Sequence, residues 1–162
     1  MLRCGVDRLE EYEALFRGKR LGLITAPTGL TADWVPTIDR LHDRFHLAAL
    51  FSPEHGVRGD VEPGGAVETY TDPYGHVPVY SIYRRDSKRL TDGMLRDVDM
   101  VVYDIQDVGA RFYTFISTLL YAMEDCARIG REFTVLDRPD PLGGEVVEGN
   151  SPDAGCRSFV GA

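Results

Sequence analysis

The run Met100-Val101-Val102-Tyr103-Asp104 decides how this chain is read. It is apolar through its first four positions and rich in β-branched residues, with no polar alternation that would leave one face in water. Such a segment is a strand buried on both sides, which is the habit of parallel sheets covered by helices. It stops in the polar turn Gln106-Asp107-Val108-Gly109. Outward from it lie four more short apolar runs, Arg20 to Thr25, Leu47 to Phe51, Val77 to Tyr83 and Phe133 to Asp137. Pro78 puts the third of these at a sheet edge or at a strand's beginning, because proline cannot donate to a ladder.

Helical spacing fills the intervals. Leu9, Tyr12, Leu15 and Phe16 recur at helical spacing, with Gly18 as a stop. A segment from Asp33 to Arg44 places Trp34, Ile38 and Leu41 on one face, and another runs from about Ser87 to Asp97. Tyr113, Ile116, Leu120, Met123 and Ala127 form an amphipathic pattern ended by Gly130. Strands alternating with helices imply crossover units. The expected fold is α/β, a doubly wound, mostly parallel sheet of about five strands with helices on both faces. Asp60 to Gly75, with Pro63, Gly64, Gly65, Pro73 and Gly75, is expected to be a long functional or mobile loop. Glu145 to Ala162 is polar and Gly-rich.

With 162 residues, the chain can bury about two-thirds of its unfolded surface as one domain. A net charge of -8 argues against nucleic acid as a partner, since no basic cluster repays phosphate contact. The densest basic patch, Arg84-Arg85 with Lys88-Arg89, is interrupted by Asp86 and reads as a solvated helix start. Cys4, Cys126 and Cys156 have neither the spacing of a zinc site nor an even count. Cys126 lies in an apolar helical pattern and reads as a small core residue. The first residues contain no apolar signal segment, and no run approaches membrane-spanning length. A soluble protein of a reducing, cytoplasmic compartment is expected.

Ionisable residues collect where strands end. Phe51-Ser52-Pro53-Glu54-His55-Gly56-Val57-Arg58-Gly59 sets an acid, an imidazole and a guanidinium in one turn after the second strand. Asp104, Gln106, Asp107, Arg111 and Tyr113 follow the fourth, and Asp137, Arg138 and Asp140 end the fifth. In a parallel sheet these ends share one edge, where open α/β sheets bind ligands. Each residue also has a structural alternative. Asp104 and Asp137 could pair with Arg111 and Arg138, Arg111 could anchor its own helix, and His55 could be a hydrogen-bonding support. Glu54 has the weakest structural excuse, in a turn that needs no carboxylate. No GxGxxG, GxxxxGK[ST] or GxSxG string is present, which disfavours nicotinamide enzymes, P-loop NTPases and α/β-hydrolase esterases. Oxygen-ligated metal binding is not specified by any spacing, and no cofactor is expected.

Several uncommon strings also resemble a known family. Ser52-Pro53-Glu54-His55-Gly56 with Arg58-Gly59, Pro78-Val79-Tyr80-Ser81, Asp104-Ile105-Gln106-Asp107-Val108-Gly109-Ala110-Arg111-Phe112-Tyr113-Thr114, and Val135-Leu136-Asp137-Arg138-Pro139 followed by Gly143-Gly144 occur in the order found in NamZ-type exo-β-N-acetylmuramidases (DUF1343, YbbC-like). Ala26 and Asp140 stand where that family usually carries Asn. The resemblance runs from about Gly5 to Gly161. It implies a Rossmann-like N-terminal catalytic domain over 1–162, in which about 145–162 leads toward a C-terminal domain, with the active site in the cleft between the two. It further implies a glycoside hydrolase that removes N-acetylmuramic acid from the non-reducing end of peptidoglycan fragments.

In that setting Glu54 is the expected acid/base carboxylate, assisted by His55. Asp104, Asp107 and Asp137 are candidates for a second carboxylate, and Arg58, Arg111 and Arg138 for holding the lactyl carboxylate. Tyr113 is expected to pack on the sugar ring, and Gln106 to bind substrate. The rival reading is a saccharide- or peptide-binding module without catalysis.

Overall fold

A computed structural model of the chain describes residues 3–59 and 69–161. Six strands form a single sheet: β1 (Arg20–Thr25), β2 (His46–Ser52), β3 (Tyr70–Thr71), β4 (Pro78–Ser81), β5 (Met100–Asp104) and β6 (Glu132–Val135). Their spatial order is β3-β4-β2-β1-β5-β6, and every pairing is parallel except that of β3 with β4. The sheet therefore starts in its middle with β1, adds β2 and β4 on one side, and returns to add β5 and β6 on the other. That is the doubly wound α/β arrangement expected from the sequence. The additional strand is the two-residue β3, too short to leave a periodic signal. The long loop expected over Asp60 to Gly75 lies for the most part outside the described residues, and its last part carries β3.

Alternation along the central strands divides the core into two layers. Leu21 and Leu23 of β1, Leu47 and Leu50 of β2, and Met100 and Val102 of β5 pack on one face with Ile38 and Leu41 of helix α2 (Thr37–Arg44). Ile24, Ala49, Phe51, Val101 and Tyr103 pack on the other with Phe115, Ala122 and Cys126 of helix α3 (Phe115–Ile129). β5 is buried at all five positions, as its unbroken apolar character requires. Cys126 is a core residue as expected, and burial pushes its thiol up to about 12.

The helices depart from expectation in instructive ways. The N-terminal segment forms a 3-10 turn (Gly5–Arg8) and a single turn of helix α1 (Glu13–Phe16). The second helix begins at Thr37, not near Asp33, because Pro36 fits just ahead of a helix and the preceding residues close a loop of their own. Ser87 to Asp97 is not helical, so Arg84–Arg89 is not a helix start. There, the Arg89 carbonyl, which a helix would turn toward the Gly93 amide, accepts Arg84 Nη2 instead (3.0 Å), and Asp125 of α3 draws in the Leu90 amide (2.9 Å). Leu90, Leu95 and Val98 are buried all the same. Helix α3 ends as predicted, with Gly130 in the left-handed region (φ 73°). Its stripe Ile116, Leu120 and Met123 faces outward, while Phe115, Ala122 and Cys126 face the sheet.

Gly22 allows the ring of Phe51 to lie across β1. A Cβ at this position would sit 2.5 Å from Phe51 Cε2 and 3.1 Å from Val98 Cγ1. We predict that Gly22→Ala destabilises the fold by about 1–3 kcal/mol through overpacking. In urea denaturation, adding Phe51→Leu should return part of that loss; independent, additive effects would show that the two residues do not oppose each other.

Candidate active site

The order of strands reverses between β1 and β5, so the crevice above their carboxyl ends is the topological switch point. The turn after β1 is drawn tight there. Thr25 Oγ1 donates to the Asp104 carbonyl (2.9 Å), and the Gly29 amide donates to the Ala26 carbonyl (2.8 Å). Any Cβ at Gly29 would fall 2.2 Å from Thr25 Oγ1, so the turn admits only glycine.

A cavity of about 320 Å³ opens over this turn. Its walls are Ala26–Thr28 after β1, Glu54 and His55 after β2, and the Phe112–Phe115 segment after β5. Of the residues expected at the site, the structure thus brings together Glu54, His55 and Tyr113. His55 has φ 72° and is followed by Gly56 at 79°. A histidine in the left-handed region carries backbone strain that glycine would avoid, and strain of that kind gathers at functional sites. The Tyr113 ring meets Phe115 edge-on at 4.9 Å. Partial burial and the charge of Asp107 hold the Tyr113 phenol above its ordinary range.

Asp107 is half-buried on the adjoining loop, where its Oδ1 accepts the Gly109 amide (2.7 Å). Gln106 ties the β5 and β6 loops together by donating to the carbonyls of Pro139 (2.9 Å) and Asp107 (2.7 Å). Asp140 folds back on this loop. A Cβ at Gly109 would lie 2.9 Å from both of its carboxylate oxygens.

The other expected residues stand elsewhere. Asp104 is fully buried and grips Arg138 through two bonds, Nε to Oδ1 at 2.6 Å and Nη2 to Oδ2 at 2.9 Å. Asp104 also accepts the Thr37 hydroxyl, and Arg138 donates to the Leu30 carbonyl (2.8 Å). The structural alternative describes this pair, and neither residue is presented to a ligand. Arg58 is held by Asp72 (2.6 and 3.1 Å) and Asp39 (2.7 Å), under the ring of Tyr74 at 4.9 Å. Burial pushes the Asp72 carboxyl up, but Arg58 and the Gly75 amide outweigh it and leave it below its ordinary value. Asp137 is exposed beside the N-terminal segment, where its carbonyl accepts the Gly5 amide (2.8 Å). Arg111 is exposed and donates to the Asn150 carbonyl (2.5 Å).

Tyr83 and Thr114 belong to this region and were not anticipated. The Tyr83 hydroxyl bonds Thr118 Oγ1 (2.8 Å) and Thr114 Oγ1 (3.3 Å). Burial raises its pKa, and the charge of Glu54 adds to the effect. Tyr83 ends the sequence run that contains β4, so applying the strand-end rule to every strand would have found it. Among the described residues, no group of three or more His, Cys, Asp or Glu side chains is disposed to hold a metal ion.

A doubly wound α/β domain with an acid and a strained histidine at its switch point belongs to the class of folds that process small ligands at a sheet edge. The family model described as "Exo-beta-N-acetylmuramidase NamZ, N-terminal" matches residues 21–162. The chain belongs to this family. It is 46% identical over 163 aligned positions to the peptidoglycan beta-N-acetylmuramidase NamZ of Bacillus subtilis (strain 168), covering 99% of this chain and 39% of that protein. Two crystal structures of DUF1343 family proteins from Bacteroides fragilis NCTC 9343 superpose with TM-scores of 0.89 and 0.82, at 46% and 31% identity. Each alignment covers 98% of this chain and 40% of the solved one. The chain thus spans about two-fifths of the length of these relatives.

Two predictions follow from the ion pairs. Asp104→Asn leaves the Arg138 guanidinium buried without its counter-charge and should cost about 3–5 kcal/mol in chemical denaturation; a loss below about 1 kcal/mol would show the pair to be dispensable. Asp72 has a depressed native pKa, so its contribution to stability is complete above the unfolded value of about 3.9 and disappears as pH falls through the native value. Thermal unfolding from pH 6 to pH 2.5 should therefore show less acid sensitivity in Asp72→Asn than in the parent, and identical slopes would contradict this.

Proposed function

We propose that this domain carries the acid/base half of an exo-β-N-acetylmuramidase acting on peptidoglycan fragments from their non-reducing end. The observation that carries the reading is the placement of Glu54 and the strained His55 in one cavity with Tyr113, at the switch point of the sheet. Kinship to a peptidoglycan beta-N-acetylmuramidase supports the substrate class.

Glycoside cleavage needs a proton delivered to the leaving oxygen and a second carboxylate serving the anomeric carbon. Glu54 is the proton donor, and His55, lining the same cavity, assists it. Of the three candidate second carboxylates, Asp104 is consumed by Arg138 and Asp137 lies against the N-terminal segment. Asp107, on the loop that leads to Tyr113, is the one we assign. Tyr113 and Phe112 offer flat faces to the sugar. Arg58 and Arg138 are neutralised by their own carboxylates, and Arg111 lines a separate cavity with Ile116, Leu120 and Met123 of α3, so none of the three candidate arginines faces Glu54 within this domain.

The remainder of the parent protein supplies the opposite wall of the cleft, in keeping with relatives more than twice as long as this chain. Among the described residues no helix is long and apolar enough to cross a membrane. The three free thiols favour a reducing, cytoplasmic setting for turnover of wall fragments.

Glu54→Gln in the full-length parent should reduce release of N-acetylmuramic acid by at least about 100-fold, the scale of a lost general acid. Near-normal turnover with an intact circular dichroism spectrum would reject the assignment. Calorimetric binding of muropeptides without any product from the unsubstituted protein would favour a binding module instead.

A further inference from the structure

Beside the Glu54 cavity lies a second one, of about 400 Å³, which shares Ala26 and Pro27 with it. Arg58, Asp39, Tyr74, Leu30 and Pro36 all line it. Leu30 and Pro36 pair as an isolated bridge and are the neck of a loop that carries Trp34. This loop is closed by its own bonds. The Thr31 amide donates to the Val35 carbonyl (2.9 Å), the Trp34 amide to the Thr31 carbonyl (3.0 Å), and the Val35 amide to Thr31 Oγ1 (3.0 Å). It is also tethered from outside, since Asp7 accepts the Ala32 amide (2.8 Å).

At its tip, Trp34 has φ 65° and is 79% exposed. A bulky residue in the left-handed region, with its ring in water, gains nothing from core packing that would offset the strain. Glycine or asparagine would close the same turn more cheaply. Tyr74, in the cavity's wall, is 77% exposed, with one ring face on the Arg58 guanidinium. Phe112, at the mouth of the Glu54 cavity, is 80% exposed. The three most exposed aromatic rings among the described residues thus all lie on loops bordering these two adjoining cavities.

The charges narrow the ligand. Arg58 faces two carboxylates, Asp72 and Asp39, so the cavity carries a local excess of negative charge and disfavours an anion. Arg58 Nη1 has no partner among the described residues and remains a donor, while the outer oxygen of Asp39 remains an acceptor. Flat rings, one cationic donor, one acceptor and no net positive charge suit a neutral pyranose, whose apolar face stacks while its hydroxyls bond at the rim. We propose that this second cavity is a subsite for a neutral sugar next to the residue being cleaved, with Tyr74 as the stacking surface in its wall and Trp34, on the loop whose neck lines it, meeting the sugar at the rim. This rests on the glycosidase reading, and it assigns to this side of the cleft the recognition of the leaving sugar.

Trp34 is the only tryptophan of the chain, so its fluorescence reports on the subsite without any need for catalysis. Titrating the 162-residue chain with N-acetylglucosamine should change that emission saturably. The acidic N-acetylmuramic acid should do so more weakly, and Tyr74→Leu should suppress the response. In the full-length parent, Trp34→Asn keeps a residue that tolerates the left-handed turn. It should raise the KM for a muramyl-glucosamine disaccharide roughly tenfold more than the KM for an aryl β-N-acetylmuramide, the scale of one lost aromatic contact. Flat emission up to high sugar concentration, or equal KM changes for the two substrates, would overturn the subsite. A saturable emission change in a protein that hydrolyses neither substrate would overturn the glycosidase reading and leave the subsite standing.

Discussion

The buried pair of Asp104 and Arg138 holds together the loops from which the site is built. Asp104 closes β5, Arg138 lies just beyond β6, Thr37 opens α2, and Leu30 belongs to the loop after β1. Two opposite charges out of water are tolerable only when their remaining hydrogen-bonding capacity is met. Here the carboxylate receives three donors, and the guanidinium spans from β5 to the β1 loop. The Thr37 amide adds a bond to the Gly29 carbonyl (2.9 Å), so α2 is clamped to the same turn. The two strand ends of the switch point are thereby fixed relative to each other. A cavity between them keeps its shape before any ligand arrives, which is what preorganised chemistry requires.

Much of this architecture could be read from residue order. Strands buried on both faces announce themselves as unbroken apolar runs, and β1, β2, β4, β5 and β6 all lie within or against the runs read from the sequence. What failed did so where local chemistry competes with periodicity. Ser87 to Asp97 has helical spacing, yet Arg84 takes the Arg89 carbonyl that a helix would use, and Asp125 draws in the Leu90 amide. The apolar stripe of α3 that the spacing marks, Ile116, Leu120 and Met123, faces outward, and the sheet is met by Phe115, Ala122 and Cys126 instead. Both stripes are apolar, and only the tertiary fold chooses between them.

The site was legible in kind more than in detail. Strand-end logic singled out Glu54, His55 and Tyr113, and the structure sets them in one cavity. It could not distinguish a carboxylate that meets a ligand from one that meets an arginine. Asp104 and Arg138 are 34 positions apart, and Arg58 finds its second carboxylate at Asp72, 14 positions on. Such pairings depend on how loops return over the sheet edge, which no local pattern encodes. The strain at His55 and Trp34 was invisible for the same reason, since φ is imposed by the turn and not by the residue.

The proposed function requires the cavity bounded by Glu54, His55 and Tyr113 to receive the sugar whose glycosidic bond is cut. A crystal structure of the full-length parent, with Glu54 replaced by glutamine and a muramyl disaccharide bound, tests it most directly. A pyranose is expected against Tyr113, with the amide of residue 54 within hydrogen-bonding distance, about 2.6–3.2 Å, of the glycosidic oxygen. A disaccharide seated elsewhere, with residue 54 out of reach of that oxygen, would contradict it.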